Sequence, residues 1–248
     1  IATREGVPAY DLTFHAPHAF QDLIEKVQNV DPISVAVAHP CSKTALLGAI
    51  DAAQANIIEP VLVGPQQRIQ QLADELEIDI SPYELVDTPH SHASASEAVA
   101  MCRSGRSEAL MKGSLHTDEF MSAVIQKETG LRTASRISHV FILDVPTYPR
   151  PLFLTDAAIN IYPNLDDKLK ILANAITLAH KLGWKEPRVA ALAALETVNS
   201  NMVATTDAAI ISKMSDRGQI QGAIVDGVAS FLLLLNIIVL RMWKNSRV

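Results

Sequence analysis

Ile33-Ser34-Val35-Ala36-Val37-Ala38 is an unbroken run of β-branched and small apolar residues, the pattern of a strand covered on both faces. Outward from it the chain alternates. Lys43 to Ala55 reads as a helix, Pro60 to Val63 as a strand, and Gln66 to Leu76 as a helix with Ile69, Leu72 and Leu76 on one face. Tyr83 to Val86 is a short strand, Ser94 to Cys102 a helix, and Glu108 to Met111 a strand. A helix from Thr117 and a strand from Val140 to Val145 continue the series. Such βα alternation predicts an α/β protein with a parallel, doubly wound sheet. Pro146, Pro149 and Pro151 then make a rigid extended break. Beyond it Leu152 to Thr155 and Val189 to Leu195 read as strands, and Leu165 to Leu182 and Thr206 to Met214 as helices. The expected boundary lies near Arg150, with 1–150 as a first α/β domain and 151–227 as a second.

At 248 residues, 48% hydrophobic and 19% charged, the chain has the composition of a globular protein with a real core. A formal net charge of −6 gives no general attraction to nucleic acid or to an anionic membrane. Anionic substrates are not excluded, because a site needs only a few local cations. Cys41 and Cys102 are too few for a disulfide framework, so a reducing cytoplasm is the default expectation. No basic-then-apolar signal opens the chain. The first residue is Ile1, which fits a start that is processed, cloned or cut from something longer.

The stretch richest in chemistry is Ala109-Leu110-Met111-Lys112-Gly113-Ser114-Leu115-His116-Thr117-Asp118-Glu119. A strand-to-helix loop of a parallel sheet sits at the carboxyl end of the strands, where ligands bind. Thr117 is placed to cap the helix, with Asp118 and Glu119 in its first turn. Lys112, the flexible Gly113, the Ser114 hydroxyl, His116 and the free N–H groups of a helix start suit a phosphate or an acyl phosphate. A well-capped turn with an exposed lysine is the structural alternative.

The company of this loop is specific as an ordered set. Gly130-Leu131-Arg132-Thr133, Arg136-Ile137-Ser138-His139-Val140-Phe141, Leu154-Thr155-Asp156-Ala157-Ala158-Ile159-Asn160 and Ala194-Leu195-Glu196-Thr197-Val198-Asn199 follow it. Arg217-Gly218-Gln219-Ile220 and Gly222-Ala223-Ile224-Val225-Asp226-Gly227 close the series. From about Val35 to Gly227 the chain resembles the phosphate acetyl/butyryltransferase family. It looks most like the acetyltransferase form sometimes fused behind an enoyl-CoA hydratase domain. The resemblance implies two doubly wound parallel-sheet domains of the isocitrate/isopropylmalate dehydrogenase-like architecture, with a cleft between them. It also implies the reaction of acyl-CoA and inorganic phosphate to acyl phosphate and CoA, with coenzyme A as substrate and no bound cofactor, in a homodimer. A non-catalytic protein binding CoA or acyl phosphate on the same scaffold is the competing expectation.

Each candidate has a structural alternative. Arg132 is a bidentate phosphate partner or a surface arginine after the Gly130 turn. Ser138 and His139 enter a strand and either touch substrate or satisfy backbone groups. Asp156 and Asn160 resemble a family signature lining the cleft, or make an Asx turn. Glu196, Thr197 and Asn199 end a buried strand, as Asp226 does, at the ligand end or as holders of a domain–domain hydrogen bond. His90 and His92 lack a third ligand at metal spacing, and Cys41 lacks an identifiable histidine partner, so neither zinc nor a catalytic thiol is expected. The base and the substrate arginine of the family lie in a C-terminal segment that this chain does not match. Residues 228–248, an apolar run ending in Arg241-Met242-Trp243-Lys244, read as an aberrant tail too short to span a membrane. The chain is expected to be inactive in this truncated form.

Overall fold

A computed structural model of the chain describes residues 19–145, 151–230 and 238–241. It divides into two units, Leu23–Ala134 and the part from Ser135 onward, with the residues up to Asp22 grouped with the latter. The helix α1 (Ala19–Val27) precedes the first strand, β1 (Ile33–Ala38).

The first unit continues with α2 (Lys43–Gln54), β2 (Ile58–Gly64), α3 (Gln66–Glu75), β3 (Glu84–Asp87), α4 (Ser91–Ser104), β4 (Ala109–Lys112) and α5 (Thr117–Val124). Its four strands are all parallel, in the order β3-β2-β1-β4. The unbroken apolar run of β1 has the predicted cause, because helices cover both faces. Val35 and Val37 pack with α2 and α3 around Leu46 and Ile69. Ala36 and Ala38 face the other way, toward Ala95, Ala98 and Met101 of α4 and Phe120 of α5. Small residues on that side let α4 lie close to the sheet. Pro60, which has no N–H to give, precedes the first β2–β3 pair, Val61 with Glu84, so that ladder loses nothing.

The second unit holds β5 (Val140–Leu143), β6 (Leu152–Thr155), α6 (Leu165–Lys181), β7 (Arg188–Ala193), α7 (Val203–Asp216), β8 (Ile224–Ser230) and β9 (Ile238–Arg241). Its sheet runs β5-β6-β9-β7-β8 and is mixed rather than parallel and doubly wound. Only β7 and β8 pair in parallel, whereas β5–β6, β6–β9 and β7–β9 are antiparallel. Connection length explains the difference. Residues 144–151 join β5 to β6, too few for the crossover of a dozen or more that parallel strands need. The pairing puts β5 in the same unit as β6, a unit whose second stretch begins at Ser135. Arg150 itself, with Pro146 and Pro149, lies outside the described residues. Around Phe153, Ile171, Leu172, Val189, Ile211 and Val225 this unit buries a core of its own.

Val228 to Ser230 complete β8, and Ile238–Arg241 occupy the middle of the sheet, so the change of character expected at 228 is not a break in the strand. Residues 231–237 and 242–248 of the expected tail lie outside the described ones. Among the described residues no helix is long and apolar enough to cross a membrane.

Candidate functional site

The strand order of the first unit reverses beside β1. After β1 the chain adds β2 and β3 on one side, then returns to lay β4 on the other. Helices α2 and α3 therefore lie on one face and α4 and α5 on the opposite face. The loops leaving β1 and β4 lie at the carboxyl ends of the strands beside this reversal, the usual ligand position of an open α/β sheet.

Main-chain and hydroxyl hydrogen bonds join these two loops. Gly113 N donates to Ala38 O at 2.8 Å and Ser114 N to His39 O at 2.8 Å. The Ser114 hydroxyl donates to His39 O at 2.9 Å and accepts from Cys41 N at 3.1 Å. A Cβ on Gly113 would overlap the carbonyl oxygens of Ala38 and His39 and lie 2.7 Å from the His39 carbonyl carbon, so only glycine fits. The proton of Ser114 is thus committed to the loop pair. Lys112, His116 and Thr117 stay exposed, while Leu115 anchors the loop in the core at 5% exposure.

His116, not Thr117, takes the N-cap of α5, and its side chain makes no capping bond. Thr117 is the first residue of the helix. The first-turn N–H groups of α5 therefore have no side-chain cap, which suits an oxyanion, and Lys112 adds a cation. Asp118 and Glu119 in the same turn oppose this. Glu119 is tempered by His92, whose Nε2 lies 3.4 Å from its Oε1.

His39 and Ser94 belong to this edge and carry no motif that marks them in the sequence. His39 is 7% exposed and holds a left-handed φ of 56°. Its Nδ1 lies 3.1 Å from Ser94 Oγ, which is 2.8 Å from Thr88 Oγ1 and donates to His90 O at 3.0 Å. Burial, with Arg68 and then His90 adding to it and Glu119 opposing, holds the imidazole below its usual pKa. His90 caps α4 by accepting from Ala93 N at 3.2 Å, which starts that helix at Ser91 rather than Ser94. The Cys41 thiol is buried and pushed up in pKa by that burial, the state of an inert cysteine.

Arg132 is exposed and follows the tight Gly130 turn, which hangs from the carboxyl end of α5 through Leu131 N to Val124 O at 2.8 Å. The eight residues of α5, about 12 Å of helix, separate that end from the Lys112 loop.

In the second unit Asp156 is the centre of its own loop. Oδ1 accepts from His139 N at 3.0 Å, Ile159 N at 3.3 Å and Ala158 N at 3.4 Å. Oδ2 accepts from Asn160 N at 3.0 Å and from the Asn160 side-chain amide. Asn160 Oδ1 accepts from Arg136 Nε at 2.6 Å, and Arg136 Nη1 pairs with Asp167 at 2.8 Å. Ser138 Oγ accepts from Asn174 Nδ2 at 2.8 Å. Asp156 makes the Asx turn and holds backbone N–H groups, with Asn160 and Arg136 bonded beside it, while the Ser138 hydroxyl meets the side chain of Asn174 and not a backbone group. Glu196 and Thr197 are exposed after β7. Asn199 makes a turn, its Oδ1 accepting from Asn201 N and its backbone held at 2.9 Å by the buried Thr205 hydroxyl. Asp226 does not end its strand. It pairs with Ala190 in the third position of β8, which runs on to Ser230.

Residues 90–231 match the family described as Phosphate acetyl/butaryl transferase. A phosphate acetyltransferase of Rickettsia typhi is 49% identical over 227 residues, covering 91% of this chain and 65% of the relative. A phosphate butyryltransferase of Clostridium beijerinckii is 41% identical, covering 84% of this chain and 69% of the relative. The crystal structure of a branched-chain phosphotransacylase from Enterococcus faecalis V583 superposes with a TM-score of 0.66 at 25% identity, over 80% of this chain and 68% of that one. The chain spans just under two thirds of the length of the Rickettsia typhi relative. Its edge loops, its motifs in order and these likenesses agree: the chain belongs to the phosphate acetyl/butyryl transferase family.

Proposed function

We propose that the protein is a phosphate acyltransferase, converting acyl-CoA and inorganic phosphate to acyl phosphate and CoA, with acetyl as the acyl group. The observation that carries this reading is the Lys112–Thr117 loop, whose ammonium and uncapped helix start stand at the reversal point of a parallel sheet. In the reaction a phosphate oxygen forms a bond to the thioester carbonyl carbon, the C–S bond breaks, and the CoA sulfur takes up a proton. Lys112 and the α5 N–H groups hold the phosphate. Gly113 lets the two loops approach closely enough to place them. Arg132, Glu196 and Thr197 are the exposed polar candidates for the CoA side. Identity of 49% to an acetyltransferase against 41% to a butyryltransferase supports acetyl. By the same resemblance the protein works as a homodimer, and its two free cysteines fit a reducing cytoplasm.

Titration of the chain with acetyl phosphate tests the loop directly. Lys112→Ala removes a charge-assisted contact and weakens binding about 10- to 100-fold, with the melting temperature unchanged. Equal affinity of the two proteins would sink the assignment. Thioester formation from acetyl phosphate and CoA, followed at the thiol, tests the whole reaction, and Lys112→Ala should slow it by a similar factor.

A further inference from the structure

We propose that His39 is the positioning residue of the Lys112–Thr117 phosphate loop, locked in place through Ser94 and Thr88. The inference rests on the reading of that loop given above. His39 is hydrogen-bonded both to the end of β2 and to the loop that leaves β4. Its amide donates to Val63 O of β2 at 2.7 Å. Its carbonyl accepts from Cys41 N at 2.8 Å and from both the amide and the hydroxyl of Ser114, the two atoms that set where the β4 loop begins. Its ring reaches α4 through Ser94, and Ser94 reaches the end of β3 through Thr88. Rotating the His39 peptide would swing its carbonyl away from Ser114. What prevents this in a left-handed conformation, unfavourable for a residue with a Cβ, is the anchored ring.

The Ser94 hydroxyl stands within reach of three partners, His90 O at 3.0 Å, Thr88 Oγ1 at 2.8 Å and His39 Nδ1 at 3.1 Å, and the His39 tautomer sets which way the ring bond runs. An asparagine side chain carries both an N–H donor and a carbonyl acceptor at nearly the same place and tolerates a left-handed φ. Glycine relaxes the backbone but has neither.

The test is calorimetric titration of the 248-residue chain with acetyl phosphate, with melting temperatures measured in parallel. His39→Gly and Ser94→Ala should each weaken binding about three- to tenfold, a loss of one hydrogen bond's worth of placement. The His39→Gly/Ser94→Ala double variant should be no weaker than His39→Gly, because both remove one anchor. His39→Asn should bind within about twofold of the parent. Met101→Ala empties core volume at the opposite end of α4; it should lower the melting temperature at least as much and leave affinity unchanged. Affinity that follows melting temperature across all of these, or losses that add in the double variant, would overturn the positioning role. Weakening by Lys112→Ala without weakening by His39→Gly overturns this inference alone. No acetyl phosphate binding by the parent chain overturns the loop reading and this inference with it.

Discussion

His39 resists its second proton. Burial is the largest cause, Arg68 and then His90 push the same way, and Glu119 of α5 pulls against them. In the unfolded chain the same side chain titrates near 6.5. Below that pH the unfolded state binds a proton the folded state does not yet accept, so stability rises with pH in this window. The contribution is complete above about 6.5 and is lost as the pH falls toward the lower folded value. The melting temperature should therefore drop between pH 7 and pH 5, and drop less in His39→Asn. Curves of equal steepness would mean that another group is responsible. Residue by residue, the site was only partly legible. Lys112, Gly113 and the helix start at Thr117 follow from local rules about loops after strands. His39 and Ser94 do not, because each becomes significant through a partner 55 residues away that only the folded sheet brings near. Asp156 shows the opposite limit: its motif drew attention, while the loop it builds uses both of its oxygens.

Among the elements, α6 and α7 are joined by the buried pair of Lys168 Nζ and Asp207 Oδ2, 2.7 Å apart with side chains 11% and 10% exposed. Removing one partner leaves an uncompensated buried charge. Lys168→Met should cost about 3–5 kcal/mol, whereas Lys168→Met with Asp207→Leu should recover most of it, since well-packed apolar pairs replace buried ion pairs at little cost. Urea unfolding of the three proteins measures this; a double variant as unstable as the single one would show that the pair does more than neutralise itself. Neither residue stands out in the sequence, where a lysine and an aspartate on amphipathic helices read as solvated. Helix α6 was legible nearly to its ends from its long amphipathic run, while the Asn164–Asp167 capping box that starts it emerges from the structure. The direction of β5 against β6 was not, since alternation of strands and helices says nothing about a connection that lacks a helix.

For the whole molecule, each unit has its own apolar interior, the first around Leu46, Leu62, Ile69 and Met101, the second around Phe153, Leu172 and Ile211. Ile171→Ala, at 1% exposure in the second, should raise amide exchange across α6 and β7 while β1 and β2 keep their protection. Loss of protection in both at once would show that they unfold together. The first unit was readable from sequence because parallel strands with crossover helices write themselves as apolar runs at regular intervals. The second sheet takes its order from β9, a strand contributed from 238–241, and long-range pairing of that kind leaves no periodic mark.

The junction at Gly113 has a consequence for how this protein can diverge. Two of the bonds tying the β4 loop to the β1 loop run from backbone amide to backbone carbonyl, atoms common to nearly every amino acid. That part of the tie between the loops is inherited with the chain path, beside the side-chain bonds of Ser114 and the His39 ring. The exposed residues at 116 and 117 are free to change toward a different anion while the frame stays fixed, so long as Leu115 stays in the core and position 113 has no Cβ. Mutational tolerance here is concentrated around one intolerant point, which makes this edge a natural place for substrate preference to drift without loss of the fold.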